Sequence, residues 1–199
     1  MIFRQLFDRV SCTYTYLLAD PLVQSAMIID PVYEHIDRDA KLIRDLNLDL
    51  KYIVDSHVHA DHITGAHGLR KHFSNAQIVS NKKCGVTGND QTFVDGDVLE
   101  CGSLRVTCLE TPGHTSGCSS YLAAGYDVPK VFTGDTLFIR GCGRTDFQEG
   151  SSKQLYKSVL EKLFTLPDET EVYPGHDYNG FTSSTIGEEK LFNPRLNQD

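Results

Sequence analysis

The chain has 199 residues, of which 40% are hydrophobic and 23% are charged, and these proportions are typical of a folded globular protein rather than of a disordered or fibrous one. Lys and Arg number 19 against 27 Asp and Glu, giving a formal net charge of -8, which disfavours nucleic-acid binding because such proteins usually present a basic face. Any anionic ligand must therefore be held by a few local cations.

The first half of the chain alternates short apolar runs with turns. Apolar residues recur at three- and four-residue spacing at Ile36, Ala40, Ile43 and Leu46, which predicts an amphipathic helix over 36–47 with one face on a sheet. Strands are predicted over residues 2–7, 13–19, 26–29 and 51–55, the third of which is stopped by Asp30-Pro31.

The second half is also richer in strands than in helices. Ser151 and Gln154 form a capping-box pattern, which predicts a helix from Ser151 to about residue 164. A helix is further predicted over 65–73, and strands over 77–80, 104–109, 119–123, 131–133 and 171–173. Because no repeat, low-complexity tract or linker interrupts the pattern, we expect a single domain over residues 1–199.

Six cysteines form no C-x-x-C pair, so we expect reduced thiols, with Cys142 packing as a small buried side chain. We find neither an apolar run of about 18 residues nor a targeting segment, and we expect no membrane association. The expected localisation is cytoplasmic, as in bacteria, or the mitochondrial matrix if the protein is eukaryotic.

The segment His57-Val58-His59-Ala60-Asp61-His62 follows a predicted strand and concentrates three imidazoles and a carboxylate in six residues. Nothing structural requires such a cluster, so a solvated polar turn is the weaker interpretation. Imidazole and carboxylate together favour Zn or Fe over Mg or Ca, which prefer oxygen ligands.

Three further candidate ligands occur after predicted strands: His114, Asp135 and His176. Each is preceded by glycine and could alone belong to an ordinary turn. Because loops at strand ends can converge on one edge of a sheet, the repeated pattern predicts that these residues join the histidine cluster. His35, His67 and His72 are expected to lie outside the site.

In chain order, the motifs H-x-H-x-D-H (57–62), G-H-T-x-G (113–117), F-T-G-D (132–135) and Y-P-G-H-D-Y (173–178) resemble those of the metallo-β-lactamase superfamily. The resemblance covers nearly the whole chain. It implies an α+β fold, an αββα sandwich of two mixed sheets with helices outside and a metal site at one sheet edge.

Two branches of the superfamily compete, the persulfide dioxygenases and the glyoxalase II hydroxyacylglutathione hydrolases. The second branch typically has Trp where Ala60 stands and carries a C-terminal helical domain. Residues 59–65, 140–147, 176–181 and 193–196 resemble the persulfide dioxygenases instead. The resemblance implies that glutathione persulfide, O2 and water give sulfite and glutathione; the alternative is a thioester hydrolase with a dinuclear metal site.

For the metal, the resemblance implies one Fe(II) per chain, held by His57, His114 and Asp135. Such a facial triad leaves neighbouring coordination positions open. Four more candidate ligands complete what could be a two-metal shell, so two Zn or mixed metals remain the alternative; these four are His59, Asp61, His62 and His176. On the resemblance, we assign the four to the surroundings of the iron.

For the substrate, the resemblance implies that Arg144 and Arg195 hold glutathione carboxylates, which Arg can bind through two hydrogen bonds. It also implies that Tyr178 lies near the reacting sulfur. We assign Arg140 to surface salt bridges. A homodimer is expected, and a separate sulfurtransferase of the rhodanese type is a candidate supplier of the persulfide. A non-catalytic metal-bearing scaffold is the third alternative.

Overall fold

The computed structural model describes residues 1–196, and in this part of the chain twelve strands form two six-stranded sheets. The first sheet contains β1 (Ile2–Phe7), β2 (Tyr14–Asp20), β3 (Ser25–Ile29), β4 (Asp49–Val54), β5 (Gln77–Asn81) and β6 (Gln91–Phe93). The second contains β7 (Val98–Cys101), β8 (Leu104–Glu110), β9 (Ser119–Ala124), β10 (Lys130–Gly134), β11 (Glu171–Pro174) and β12 (Ser184–Thr185). The helices are α1 (Ile36–Asp45), α2 (Ala66–His72), α3 (Ser152–Ser158), which continues as a π-helical segment (Val159–Leu163), and α4 (Ile186–Phe192).

Each half of the chain builds one sheet, and both sheets are mixed. In the first sheet β1, β2 and β3 are antiparallel neighbours, whereas β3 to β6 run parallel. In the second sheet the parallel pair is β10 and β11, and the other neighbours are antiparallel. Parallel neighbours need crossover connections; α1, α2 and α3 supply three of the four, and residues 82–90 connect β5 with β6.

The alternation of side chains along β2 shows how the layers are assembled. Tyr16 and Leu18 lie in the core between the two sheets, whereas Leu17 and Ala19 lie in a second core under α1 and α2. A third core packs α3 and α4 on the outer face of the second sheet. These four layers confirm the predicted αββα sandwich of the α+β class.

Aromatic residues hold the two sheets together close to the candidate site. The ring centroids of Tyr16 and Phe132 are 4.8 Å apart, and Tyr173 stacks on Phe132 with an interplanar angle of 22°. The Tyr16 hydroxyl also donates to the carbonyl of Pro174 at 2.5 Å. The end of β11, from which His176 follows, is therefore tied to the first sheet.

The observed elements differ from the predicted ones at several places. The first helix ends at Asp45 rather than at residue 47, and Thr13 precedes β2, forming an isolated bridge with His176. Sequence analysis missed four short elements, namely β6, β7, β12 and α4. None of the helices within residues 1–196 combines the length and the apolar character needed to cross a bilayer.

Candidate metal centre

The candidate ligands lie in loops that follow four strands of the two sheets. His57 follows β4 of the first sheet, while His114, Asp135 and His176 follow β8, β10 and β11 of the second. The sheets meet closely here because Gly134 has no side chain: a Cβ at this position would lie 2.7 Å from Oγ of Ser56, and its φ of +48° also favours glycine. All four side chains are buried.

His57, His114 and Asp135 form one compact group, each offering a ligand atom within 4.8 Å of the others. Nε2 of His57 lies 3.9 Å from Oδ2 of Asp135, and Nε2 of His114 lies 3.6 Å from the same oxygen. The structure thus brings together the three residues that the resemblance implied as iron ligands.

The other ring nitrogen of each histidine has a partner that orients the ring. Nδ1 of His114 donates to the carbonyl of Arg144 at 2.7 Å, and Nδ1 of His176 donates to the carbonyl of Ser11 at 3.2 Å. Nδ1 of His57 lies 2.9 Å from Oγ of Ser56. Since a carbonyl only accepts, the two rings bonded to carbonyls carry their proton on Nδ1 when neutral, which leaves the Nε2 lone pair free for a metal.

The donor set fits a metal such as iron or zinc. Within residues 1–196, three buried polar atoms among the candidate ligands have no hydrogen-bond partner: Oδ1 of Asp135, Nδ1 of His59 and Nε2 of His62. Buried polar atoms are rarely left unsatisfied, so a cation bound among them would remove the cost of burial. Burial raises the pKa of Asp135, while the nearby histidines His176 and His114 oppose that rise.

The remaining candidate ligands lie beside the first group. His59, Asp61 and His62 form a second group within 4.8 Å, and Oδ2 of Asp61 lies 2.9 Å from Nδ1 of His62. Nε2 of His176 lies 3.7 Å from that oxygen of Asp61 and 3.5 Å from Oδ1 of Asp135. These four residues therefore line the edge of the triad, as expected both for supporting residues and for ligands of a second metal.

Sequence analysis missed Asp30, a buried carboxylate that organises the histidine loop. Oδ1 of Asp30 accepts hydrogen bonds from the backbone N–H of Ser56 at 2.6 Å and from Nε2 of His59 at 3.3 Å. Burial disfavours the charged imidazole, but the Asp30 carboxylate outweighs it and raises the pKa of His59 to about 9. Burial also raises the pKa of neighbouring Asp55 to about 6. The sequence pattern predicts for Asp30 only that it ends the third strand, together with Pro31.

A second missed group supports the site from the loop between β1 and β2. Oγ1 of Thr13 donates to Oδ2 of Asp61 at 3.2 Å and lies 2.7 Å from Oγ of Ser11. Ser11 in turn donates from both its backbone N–H and its hydroxyl to Asp8, at 2.8 and 2.6 Å. His35, expected to lie outside the site, contacts Asp8 at 3.0 Å.

A cavity of about 870 Å³ opens next to the triad, and its lining includes His176 and the three residues expected to bind substrate, Arg144, Tyr178 and Arg195. The ring of Tyr178 stacks on that of His176, with centroids 5.7 Å apart and planes at 7°. The guanidinium of Arg144 is exposed and pairs with Asp146 at 2.8 Å. The structure thus places all three residues on one cavity beside the metal group.

Arg140 and Cys142 also line this cavity, and both side chains contact other residues of the protein. The Arg140 guanidinium pairs with Glu188 and with Glu189, so the expected salt bridges are present, although Glu189 is fully buried rather than on the surface. Cys142 packs against the core under α3, and burial raises the pKa of its thiol.

Comparisons with known proteins agree with this geometry. A family model described as the metallo-beta-lactamase superfamily matches residues 13–176. The mitochondrial persulfide dioxygenase ETHE1 of Homo sapiens is 48% identical over 196 residues, which are 98% of this chain and 76% of that protein. The crystal structure of ETHE1 from Myxococcus xanthus matches with a TM-score of 0.93 and 49% identity, covering 98% of this chain and 84% of that chain.

A hydroxyacylglutathione hydrolase of Photobacterium profundum is also similar, at 40% identity over 146 residues, 73% of this chain and 54% of that protein. Its identity to this chain is lower, and the match covers less of both chains, than for the two ETHE1 proteins, as the motifs around Ala60 and residues 193–196 predict. The chain belongs to the metallo-beta-lactamase superfamily and, within it, to the persulfide dioxygenase family.

Proposed function

We propose that this protein oxidises glutathione persulfide with O2 and water to sulfite and glutathione, using one iron per chain. The observation that carries the proposal is the compact group of His57, His114 and Asp135, found in a chain that is 48% identical to the persulfide dioxygenase ETHE1 of Homo sapiens. Two imidazoles and one carboxylate are the ligands of many non-haem iron oxygenases.

The three triad residues would hold the iron through Nε2 of His57, Nε2 of His114 and a carboxylate oxygen of Asp135. Iron supplies the redox chemistry that allows ground-state O2 to react with a persulfide sulfur. The carbonyl of Arg144 and the hydroxyl of Ser56 hold the two imidazoles in the orientation that such a site needs.

Substrate would bind in the cavity beside the triad. Arg144 and Arg195 are cationic groups on its wall. Because the protein as a whole is acidic, an anionic tripeptide such as glutathione must be bound by local positive charges of this kind. Arg binds a carboxylate through two parallel hydrogen bonds, so these residues would bind the carboxylates of glutathione. Tyr178, stacked on His176, would cover the persulfide end and limit the access of bulk water.

The overall reaction is balanced with O2 as the oxidant. Glutathione persulfide, O2 and one water give glutathione, sulfite and two protons; the outer sulfur is oxidised, the O–O bond is broken and the S–S bond is cleaved. Asp61, whose side chain is about one-third exposed and which contacts His62 and His176, is suited to orient the water that enters the product by accepting a hydrogen bond from it.

The proposal is tested by loading metal-free protein with Fe(II) under anaerobic conditions and following O2 after adding glutathione persulfide. Iron-dependent O2 uptake with stoichiometric sulfite, at one iron per chain, is the expected result. Metal-free protein and zinc-loaded protein serve as controls. No uptake by iron-loaded protein, together with two bound metals and hydrolysis of S-lactoylglutathione, would establish the thioester hydrolase instead.

A further inference from the structure

The side chain of Asn193 joins two parts of the substrate cavity wall. It is fully buried directly after α4. Its Nδ2 donates to the carbonyls of Phe138 and Gly141 at 3.3 and 3.0 Å and to Oε2 of Glu189 at 2.9 Å. Its Oδ1 accepts from the backbone N–H of Arg195 at 3.0 Å. One amide therefore connects the loop that begins at Phe138 with the segment that carries Arg195.

The chemistry of these partners determines which way the amide points. The contacts of Nδ2 are two carbonyls and a carboxylate, which only accept, whereas the contact of Oδ1 is an N–H, which only donates. A flipped amide would lose every one of these bonds. The arrangement thus specifies asparagine, because an aspartate would bring a negative charge against the Glu189 carboxylate and the two carbonyls.

The loop that Asn193 holds is a tight turn in a conformation that needs support. Reciprocal backbone bonds of 3.0 and 3.2 Å join Phe138 and Gly141, and Arg140 between them has a φ of +61°. Glu189 stabilises this left-handed residue by accepting from its backbone N–H at 2.9 Å and from its guanidinium. A non-glycine residue with positive φ is strained and persists only when its surroundings hold it.

This turn leads directly to the substrate side of the site. The ring of Phe138 packs edge-on against His176 and Tyr178, with centroid distances of 5.9 and 6.3 Å. Beyond the turn, the N–H of Gly143 donates to the carbonyl of Asp135 at 2.9 Å, and Arg144 follows. Both ends of the segment 138–144 are therefore held, the first by Asn193 and Glu189 and the second by the metal loop.

We propose that Asn193 is a positioning residue for substrate selection: it sets the separation of Arg144 and Arg195 and so matches the cavity to a persulfide that carries two carboxylates. The inference rests on the proposed function. Asn193 contacts neither the cavity nor the metal group; it acts by joining the backbone N–H of Arg195 to the turn at Phe138 and Gly141, from which the chain continues to Arg144. Its removal should therefore weaken the binding of a dicarboxylate persulfide more than that of a small persulfide without carboxylates.

The test compares Asn193→Asp and Asn193→Ala with the wild type, using glutathione persulfide and cysteamine persulfide as substrates. The expected result is a KM for glutathione persulfide raised about tenfold, with an unchanged KM for cysteamine persulfide and unchanged iron content. Asn75→Asp makes the same chemical change at an exposed position and serves as the matched control. Thermal unfolding identifies any variant that does not fold.

A double-substitution cycle separates positioning from general damage. In an Arg195→Ala background the effect of Asn193→Ala on the KM for glutathione persulfide should largely vanish, because residues that act through one another are not additive. A proportional rise of KM for both persulfides, or full additivity with Arg195→Ala, overturns the proposal. If both Asn193 variants fail to fold, Glu189→Gln, which weakens the same contacts, carries the same comparison.

Failure of the inference and failure of the proposed function give different results. If the proposed function is wrong, the wild-type protein itself does not consume O2 with either persulfide. If only the inference is wrong, the wild type is active and the ratio of the two KM values does not change in the variants.

Discussion

The backbone carbonyl of Arg144 accepts a hydrogen bond of 2.7 Å from Nδ1 of His114. A residue whose side chain lies on the proposed substrate cavity thus orients a member of the proposed metal triad through its main chain. The two roles are separable, because substitution of the side chain leaves the carbonyl in place. Metal binding and substrate binding at this position can therefore be examined independently.

Replacing Arg144 by alanine should affect substrate binding alone. We expect KM for glutathione persulfide to rise about tenfold, equivalent to about 1.4 kcal/mol of lost binding, with one iron per chain retained. Steady-state O2 uptake and metal analysis measure the two quantities. Arg105→Ala is the matched control, since Arg105 is as exposed as Arg144 and also pairs with an acidic residue. Loss of iron from Arg144→Ala would contradict this separation.

Two aspartates distinguish a one-metal from a two-metal site. Asp135 belongs to the compact triad, so Asp135→Asn should lose both iron and activity. Asp61 belongs only to the neighbouring group, so Asp61→Asn should retain one iron per chain. Metal content per chain after anaerobic loading with excess Fe(II) and desalting decides between the two cases.

A loss of metal from Asp61→Asn would indicate a two-metal site. If the wild type holds two metals and Asp61→Asn holds one, the second group is a metal site in its own right. Asp97→Asn provides a control for general effects of removing a carboxylate, because Asp97 accepts from the backbone N–H of Val94 in its own turn and belongs to neither group.

The elements that position the metal residues could be predicted from sequence because their signals are local. The strands before His57, His114 and Asp135 are apolar runs ended by turns; burial alternates along β8, whereas β10 is buried from Val131 to Gly134. Their convergence on one group follows from the two sheets meeting at that edge. The resemblance, rather than the spacing, selected three of the seven candidate ligands.

The supporting carboxylates could not be predicted, because burial of a charge depends on partners that are distant in sequence. Asp30 lies beside His59, which is 29 residues away, and Glu189 lies beside Arg140, 49 residues away. Each would ordinarily be expected at the surface, since unpaired carboxylates are rarely buried. The helix α4 was missed for a related reason: it has only seven residues, and one of its two buried positions is Glu189.

Gly134→Ala should lower stability and weaken iron binding by more than the positive φ of Gly134 alone predicts. Both Gly134 and Gly180 have positive φ, +48° and +84°, and alanine at either position should destabilise the protein by about 1–2 kcal/mol. At Gly134 the new Cβ would also lie 2.7 Å from Oγ of Ser56, whereas nothing lies within 4 Å at Gly180. We therefore expect the free energy of unfolding to fall by a further amount of roughly 1–3 kcal/mol, and iron binding to weaken, only in Gly134→Ala.

Urea unfolding and iron titration of the two glycine variants measure these effects. Ser56 contacts Nδ1 of His57, so its displacement should disturb the first ligand of the triad. Equal destabilisation of both variants would show that the close approach of the two sheets at Gly134 is relaxed without consequence.

Asp8 should make stability depend on pH in the acid range. Burial alone would raise its pKa, but hydrogen bonds from the side chain and backbone of Ser11, with a further bond from His35, hold the pKa well below its ordinary value of 3.8. The ionised carboxylate therefore stabilises the folded state. This contribution is complete above about pH 5 and is lost progressively as the pH falls through the unfolded-state value to the lower folded-state value.

Asp8→Asn removes this contribution, so the variant should be less stable than the wild type by about 1–3 kcal/mol at neutral pH. The gap between the two proteins should stay constant from pH 7 to about pH 5 and narrow below pH 4, because the wild-type carboxylate is then protonated on unfolding. Urea unfolding of the metal-free proteins measures it without interference from the metal. If the difference in unfolding free energy does not change with pH, the Asp8→Asn variant is destabilised by altered packing rather than by loss of charge. In that case the contacts that run from Asp8 through Ser11 to His176 do not depend on the ionised carboxylate.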